Sequence, residues 1–172
     1  MECEATVAQG SSILIKRSVV YEAPPGSSSI TIHSFWLHWN TMLYRRKGDE
    51  WKKVEDDSCS WRIMDDPDID VNVSQHEDFT SLEGGEAWTL SYTLDTTDMG
   101  DIPRGVAAGD VFRYRFMGVE LDWWDWGGKK EHAETTVKVP CFIHGRVVDP
   151  EDNGGRPKLV VPASDFVEFT IV

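Results

Sequence analysis

The segment LDWWDWGG, residues 121–128, places Asp122, Trp123, Trp124, Asp125 and Trp126 in consecutive positions. Indole is flat, apolar and carries one N–H donor, so it can stack on the apolar face of a sugar or close over an aromatic group. A neighbouring carboxylate then accepts hydroxyl hydrogens. The same set can clamp a cationic side chain through cation–π contact. The competing reading makes one of the paired indoles a plug for the end of a β-sandwich, with the others covering it. A second group surrounds His38, flanked by Trp36 and Trp39. If His38 faces Glu120 or Asp122 across a pocket, the pair can move a proton on a small hydrophobic ligand. A single histidine on a strand is equally well read as a satisfied structural group.

Other clusters carry less chemistry. Asp65, Asp66, Asp68 and Asp70 offer the hard oxygens that Ca²⁺ takes. Their spacing lacks the sixth-position glycine and the closing glutamate of an EF-hand loop, so a solvated turn around Pro67 is the simpler reading. His33 and His38 stand an odd number of residues apart, on opposite faces of one strand if the segment is extended. No metal is assigned. Gly84-Gly85 and Gly154-Gly155 lack the lysine-serine or β–α context in which glycines cradle phosphate, and no serine sits in a nucleophile-elbow sequence. No cofactor is expected.

The elements that must hold these groups read as strands. Ile13, Ile15 and Val19 alternate with Lys16 and Ser18 up to the break at Pro24-Pro25-Gly26. In SITIHSFWLHW, Phe35, Leu37 and Trp39 share one face, and Ile32, Ser34, Trp36 and His38 the other, as in a strand covered on both sides. Trp88, Leu90, Tyr92 and Leu94 form a third stripe, and Phe112, Tyr114 and Phe116 a fourth, opposed by Arg113 and Arg115. ETTVKVP and DFVEFTIV complete the set. Turns are expected at Gly48-Asp49, Gly84-Gly85, Ala108-Gly109-Asp110, Gly127-Gly128 and Asp152–Gly155. No long amphipathic helix, repeat or linker interrupts this pattern. The expectation is an all-β fold, an immunoglobulin-like antiparallel β-sandwich of seven to nine strands, with residues 1–172 as one domain.

Composition limits the partners. Thirty acids against 17 bases give a formal charge of -13. The stretch between Arg62 and Arg104 holds eleven acids and no lysine or arginine. Such a surface repels phosphate backbones and anionic lipid, so neither nucleic acid nor membrane is expected as a partner. Arg45-Arg46-Lys47 is the clearest basic patch. It reads as ordinary hairpin surface, or as the complement of the acidic stretch in a homo-oligomer. Cys3, Cys59 and Cys141 are too few and too scattered for a disulfide framework or a zinc site. Asn72-Val73-Ser74 is a formal glycosylation acceptor that matters only in a secreted chain. No apolar run at the start has signal-peptide character. The location stays open between secreted, if a leader has been removed, and cytoplasmic.

From about Phe79 onward, FTSLEGGEAWTLSYTL followed by DTTDMGDIPRGVAAGDVFRYRFMG resembles the non-catalytic, immunoglobulin-like N-terminal region of fungal deuterolysin-type metalloproteases. LYRRKGDEWKKV is similar to the strand–turn–strand segment upstream in that region. The resemblance spans about half of the chain. It implies a stand-alone sandwich of secreted fungal type and transfers no catalytic residue. The histidine-glutamate-x-x-histidine helix of the protease is missing, since His76-Glu77 has no second histidine four residues after the first. Together these readings favour a non-enzymatic domain that binds a protein partner through Trp123, Trp124, Trp126, Asp122 and Asp125, with Trp36 and His38 beside them. A small-molecule or carbohydrate binder is the first alternative. An enzyme using a histidine–carboxylate pair on a hydrophobic metabolite is the second.

Overall fold

The computed structural model describes residues 1–3, 6–24, 26–55, 67–95, 102–103, 105–140 and 145–172. In chain order the strands begin with β1 (Glu2–Cys3), β2 (Thr6–Val7), β3 (Ile13–Val20) and β4 (Ile30–His33), followed by the short helix α1 (Phe35–His38). Next come β5 (Thr41–Lys47), β6 (Glu50–Lys53), β7 (Ile69–Asn72), β8 (Phe79–Leu82), β9 (Ala87–Leu94) and β10 (Val111–Phe116). The chain ends with β11 (Val119–Glu120), β12 (Trp124–Trp126), β13 (Thr136–Val139), β14 (Val160–Val161) and β15 (Val167–Ile171). Two 3₁₀ turns, Lys129–His132 and Glu151–Gly155, separate the last of these. The protein is all-β, and its strands pair antiparallel except where β2 runs parallel to β15.

Two sheets meet over the larger core. One has the order β1-β3-β9 and the other β2-β15-β10-β5-β6. Alternation puts Ile13, Ile15 and Leu94 on the inner face of the first, and Leu43, Phe112, Tyr114, Phe169 and Ile171 on the inner face of the second. Phe112 and Phe169 stack with ring centroids 5.5 Å apart across β10 and β15. The β3–β9 pairing runs unbroken from Ile13↔Leu94 to Val20↔Ala87. This is the register that the alternation of both runs requires.

A third sheet, β12-β4-β8, and two two-stranded pieces, β11-β14 and β13-β7, extend the molecule. Among the described residues fifteen strands stand where seven to nine were expected, five of them only two or three residues long. Two further cores lie beside this third sheet. Ile30, Ile32, Leu37, Leu82, Trp88, Phe116, Leu121 and Trp124 make one. Val71, Val73, Phe79, Trp123, Val137, Val139 and Val147 make the other.

One expected strand is corrected. The extended run predicted through Trp39 stops at His33, and Phe35–His38 form a single helical turn. Ser34 turns the chain: its backbone N–H and its hydroxyl both donate to the Asp78 carbonyl, at 2.7 and 2.9 Å. Leu37 is then fully buried in the core, and its carbonyl accepts a hydrogen bond from the Arg17 guanidinium. Four residues are too few to show a helical period, and each of them also suits a strand.

Candidate binding surface around the tryptophan segment

The LDWWDW segment runs between the two smaller cores, so both of its faces are covered. Leu121 and Trp124 point into one core and Trp123 into the other. Trp123 meets Phe79 edge-on at 5.2 Å and His132 at 5.7 Å. Trp124 donates its indole N–H to the Pro157 carbonyl at 2.9 Å, and its backbone N–H to the Asn153 side chain at 3.1 Å. The Trp124 indole thus finds the hydrogen-bond partner that a buried N–H requires, and Trp123 is held by edge-on ring contacts. Trp123 and Trp124, expected among the contact residues, are thus interior groups.

Asp122 is interior too. Its Oδ2 accepts the Val147 backbone N–H at 2.7 Å, and both oxygens face His33 Nδ1, at 3.0 and 3.1 Å. An ionised carboxylate only accepts, so the arrangement makes His33 Nδ1 the donor. The imidazole stacks on Phe79 with centroids 4.9 Å apart. His33 is 1 % exposed and Asp122 7 %, which closes the pair to a substrate in this conformation. Sequence reasoning did not connect these residues. The pairing spans 89 positions, and the one available signal was a histidine inside the apolar β4 run.

His38, proposed as the partner of Glu120 or Asp122, goes elsewhere. At the end of α1 it is largely exposed, with its ring edge-on to Trp88 at 5.2 Å. Cover from its surroundings lowers its pKa below the ordinary histidine value, an effect opposed by Asp78 and reinforced by Arg17. Trp36 is half-buried, with Phe35 edge-on at 5.2 Å. Trp36 and His38 therefore belong to a helical turn rather than to a strand face. Glu120 pairs with Lys158, whose Nζ lies 2.9 Å from Oε1.

Asp125 and Trp126 reach the surface. Arg156 grips Asp125 through two bonds, Nε–Oδ1 at 3.0 Å and NH2–Oδ2 at 2.5 Å, a forked geometry that fixes the carboxylate. Trp126 is 55 % exposed and packs edge-on to Trp124 at 5.2 Å. Pairing of β12 with β4 sets Trp126 opposite Ile30, and the Gly127 N–H donates to Ser29 at 2.8 Å. This brings the indole beside the β3–β4 connection. There an open groove is lined by Tyr21, Glu22, Ala23, Pro24, Ser27, Ser28 and Trp126. Tyr21 is anchored, because its hydroxyl donates to the Ser28 carbonyl at 3.3 Å and its backbone carbonyl accepts the Gly85 N–H at 2.8 Å. The groove residues other than Trp126 were read from sequence only as a break between strands.

The remaining candidates divide between described and undescribed residues. Asp65 and Asp66 lie outside the described residues, as do Cys59, Cys141 and His144. Asp68 and Asp70 are exposed. Among the described residues no group of three or more His, Cys, Asp or Glu side chains could hold a metal ion. No helix among them is long and apolar enough to cross a membrane. Asn72 of the glycosylation tripeptide donates to the Ala133 carbonyl at 2.7 Å and accepts from the Ser74 hydroxyl at 2.6 Å. A glycan there would have to displace the Ala133 contact. Comparison with family models, curated proteins and solved structures finds no match to this chain.

Proposed function

We propose that the protein is a non-enzymatic binding domain that recognises a protein partner through the surface around Trp126. The observation that carries this reading is the exposure of Trp126, 55 % open at the rim of the Tyr21–Ser28 groove while its two neighbouring indoles are interior. An exposed indole held by an edge-on ring and flanked by a fixed tyrosine and a proline gives a rigid apolar contact. Glu22 supplies a carboxylate in the groove, the acidic component of the recognition, while Asp125, forked by Arg156, holds the strand that carries the indole. Kinship with the deuterolysin N-terminal region, and with it the immunoglobulin-like form of the two facing sheets, rests on the residue pattern alone.

A saccharide ligand is the second reading. The same indole face and the Ser27 and Ser28 hydroxyls suit a neutral sugar lying in an open groove. Trp126→Ala separates binding from folding. It should abolish a saturable change in tryptophan fluorescence, or the capture of a defined partner from the source organism's proteins, while leaving the unfolding midpoint within the range of a surface substitution. A response to neutral oligosaccharides that Trp126→Ala removes would move the reading to the sugar. Binding of either class that survives the substitution would refute Trp126 as the contact.

A further inference from the structure

The outer face of the β2-β15-β10-β5-β6 sheet carries a cationic patch on an acidic protein. Alternation points Arg113 and Arg115 of β10 away from the core that Phe112, Tyr114 and Phe116 enter. Register places Tyr44 beside Arg113 and Lys53 beside Tyr44, with Arg46 opposite Trp51, so all of these share the outer face. The Arg113 guanidinium lies over three rings, 5.0 Å from Tyr44, 4.5 Å from Trp51 and 4.1 Å from Phe166. Arg115 lies 4.7 Å from Phe166.

Two further facts set these arginines apart from an ordinary stacked surface. The Nε atoms of both are sealed from solvent without a hydrogen-bond partner, and neither guanidinium forms an ion pair with the described residues. The strand neighbour Glu168 is directly opposite Arg113 in register and exposed, yet no ion pair joins them. Two other arginines show the alternative: Arg45 is forked onto Asp110 and Arg156 onto Asp125, whereas Arg17, whose Nε is likewise unpartnered, is enclosed in the core and not open to a partner. Four cations (Arg46, Lys53, Arg113 and Arg115) therefore face outward, with Glu168 opposite Arg113 and exposed Asp49 4.0 Å from Arg46, in a chain whose formal charge is -13.

We propose that this face docks an acidic, extended segment of a partner polypeptide. The guanidinium planes are held by the rings, which leaves their terminal N–H edges to grip carboxylates in the forked geometry that arginine favours. Arg113 and Arg115 are two residues apart on one strand, a separation of roughly 6.6–6.8 Å. An extended peptide running along β10 repeats its side chains at that same interval, so acids at alternate positions meet both arginines. A broad sheet face suits a polypeptide better than an enclosed small ligand. The site lies on a different sheet from Trp126 and stands independently of the reading given for that groove.

The test is the binding of a labelled peptide of alternating aspartate and serine to the whole protein at low and high salt, by fluorescence anisotropy. The wild type should bind, with affinity falling as salt rises. R113Q/R115Q should lose about tenfold or more, the equivalent of ~1.4 kcal/mol, and R113K/R115K, which keeps charge without the planar fork, should also bind less tightly. Glu168→Gln should tighten binding, a gain that unfolding cannot produce. Trp126→Ala should leave the peptide affinity unchanged, so that failure here and failure at the groove are distinguishable. Equal affinity of the wild type and R113Q/R115Q, or no wild-type binding at low salt, would overturn the proposal. So would arginine-dependent binding of a sulfated oligosaccharide in place of the peptide. Salt-sensitive self-association of the wild type that R113Q/R115Q abolishes would overturn it in favour of a second copy of the chain.

Discussion

At the scale of the residue, the clearest polar commitment is the His33–Asp122 pair. Two polar groups are buried together, and the geometry spends every contact on holding β4, the 121–124 segment and the Val147 backbone in place. Removing one partner strands the other without water, which is costlier than any single hydrogen bond. Asp122→Ala and His33→Ala should each lower stability by about 3 kcal/mol. The double variant should cost less than the two added together, because the second loss no longer strands a partner. Urea unfolding of the four proteins measures this, and strict additivity would show that the two side chains are not coupled. Trp124→Ala should also cost about 3–5 kcal/mol as a core truncation, against a few tenths for Trp126→Ala at the surface. A similar cost at both positions would contradict the assignment of one indole to the core and the other to the surface.

At the scale of the element, α1 shows what decides structure when local pattern does not. Its turn is held by Ser34 at one end and by Arg17, reaching from β3, at the other. Arg17 is 3 % exposed, lies 4.6 Å from the Phe116 ring and donates to the Tyr114 hydroxyl at 3.3 Å. Burial lowers its pKa from the usual arginine value, against the opposing pull of Tyr114. Among the described residues it has no carboxylate partner, so its charge contributes little that an apolar group of similar length would not. Arg17→Ala should therefore cost about 3 kcal/mol, and Arg17→Met less than half as much. Equal costs would place the loss in the bond to Leu37 rather than in packing.

The same element marks the boundary of what the sequence reveals. The runs 13–20, 87–94 and 111–116 were legible because a face covered by a core and a face turned outward leave a period of two in the residues. Gly48 and Gly85 were legible as turns, and both adopt positive φ, at 63° and 85°. SFWLHW was not legible, since aromatic and branched side chains carry a strand signature even where tertiary contacts coil them. LDWWDW left a core plug and a contact surface as competing readings for a related reason: a segment between two cores buries both faces, and its alternation then says nothing about exposure; Trp123 and Trp124 follow the core reading. Asp125 and Trp126, at the end of that segment, escape both cores, and Trp126 is the one indole of the three that does.

At the scale of the molecule, charge and burial give a definite response to pH. His38 has a pKa below the ordinary histidine value in the fold, so the unfolded chain takes up its proton first. Stability from this group is complete above about pH 6.5 and declines as pH falls from there through the lower folded value. Asp110 acts in a lower window. Burial alone would raise its pKa, but the Ala107 N–H at 2.8 Å, the forked Arg45 and nearby Lys47 together hold it below the usual carboxylate range. Its contribution is present above about pH 3.9 and is lost as pH falls through the depressed folded value. Against both runs the mutual repulsion of a chain at -13, which weakens as carboxylates are protonated. The unfolding midpoint measured from pH 8 to pH 3 should therefore show a first decline that His38→Gln removes and a second, at lower pH, that Asp110→Asn removes. At pH 7 added salt should raise the midpoint rather than lower it, because screening relieves long-range repulsion more than it weakens a few close ion pairs. A midpoint that falls with salt at pH 7 would mean that paired charges such as Arg45–Asp110 and Arg156–Asp125 outweigh the net acidity of the whole surface.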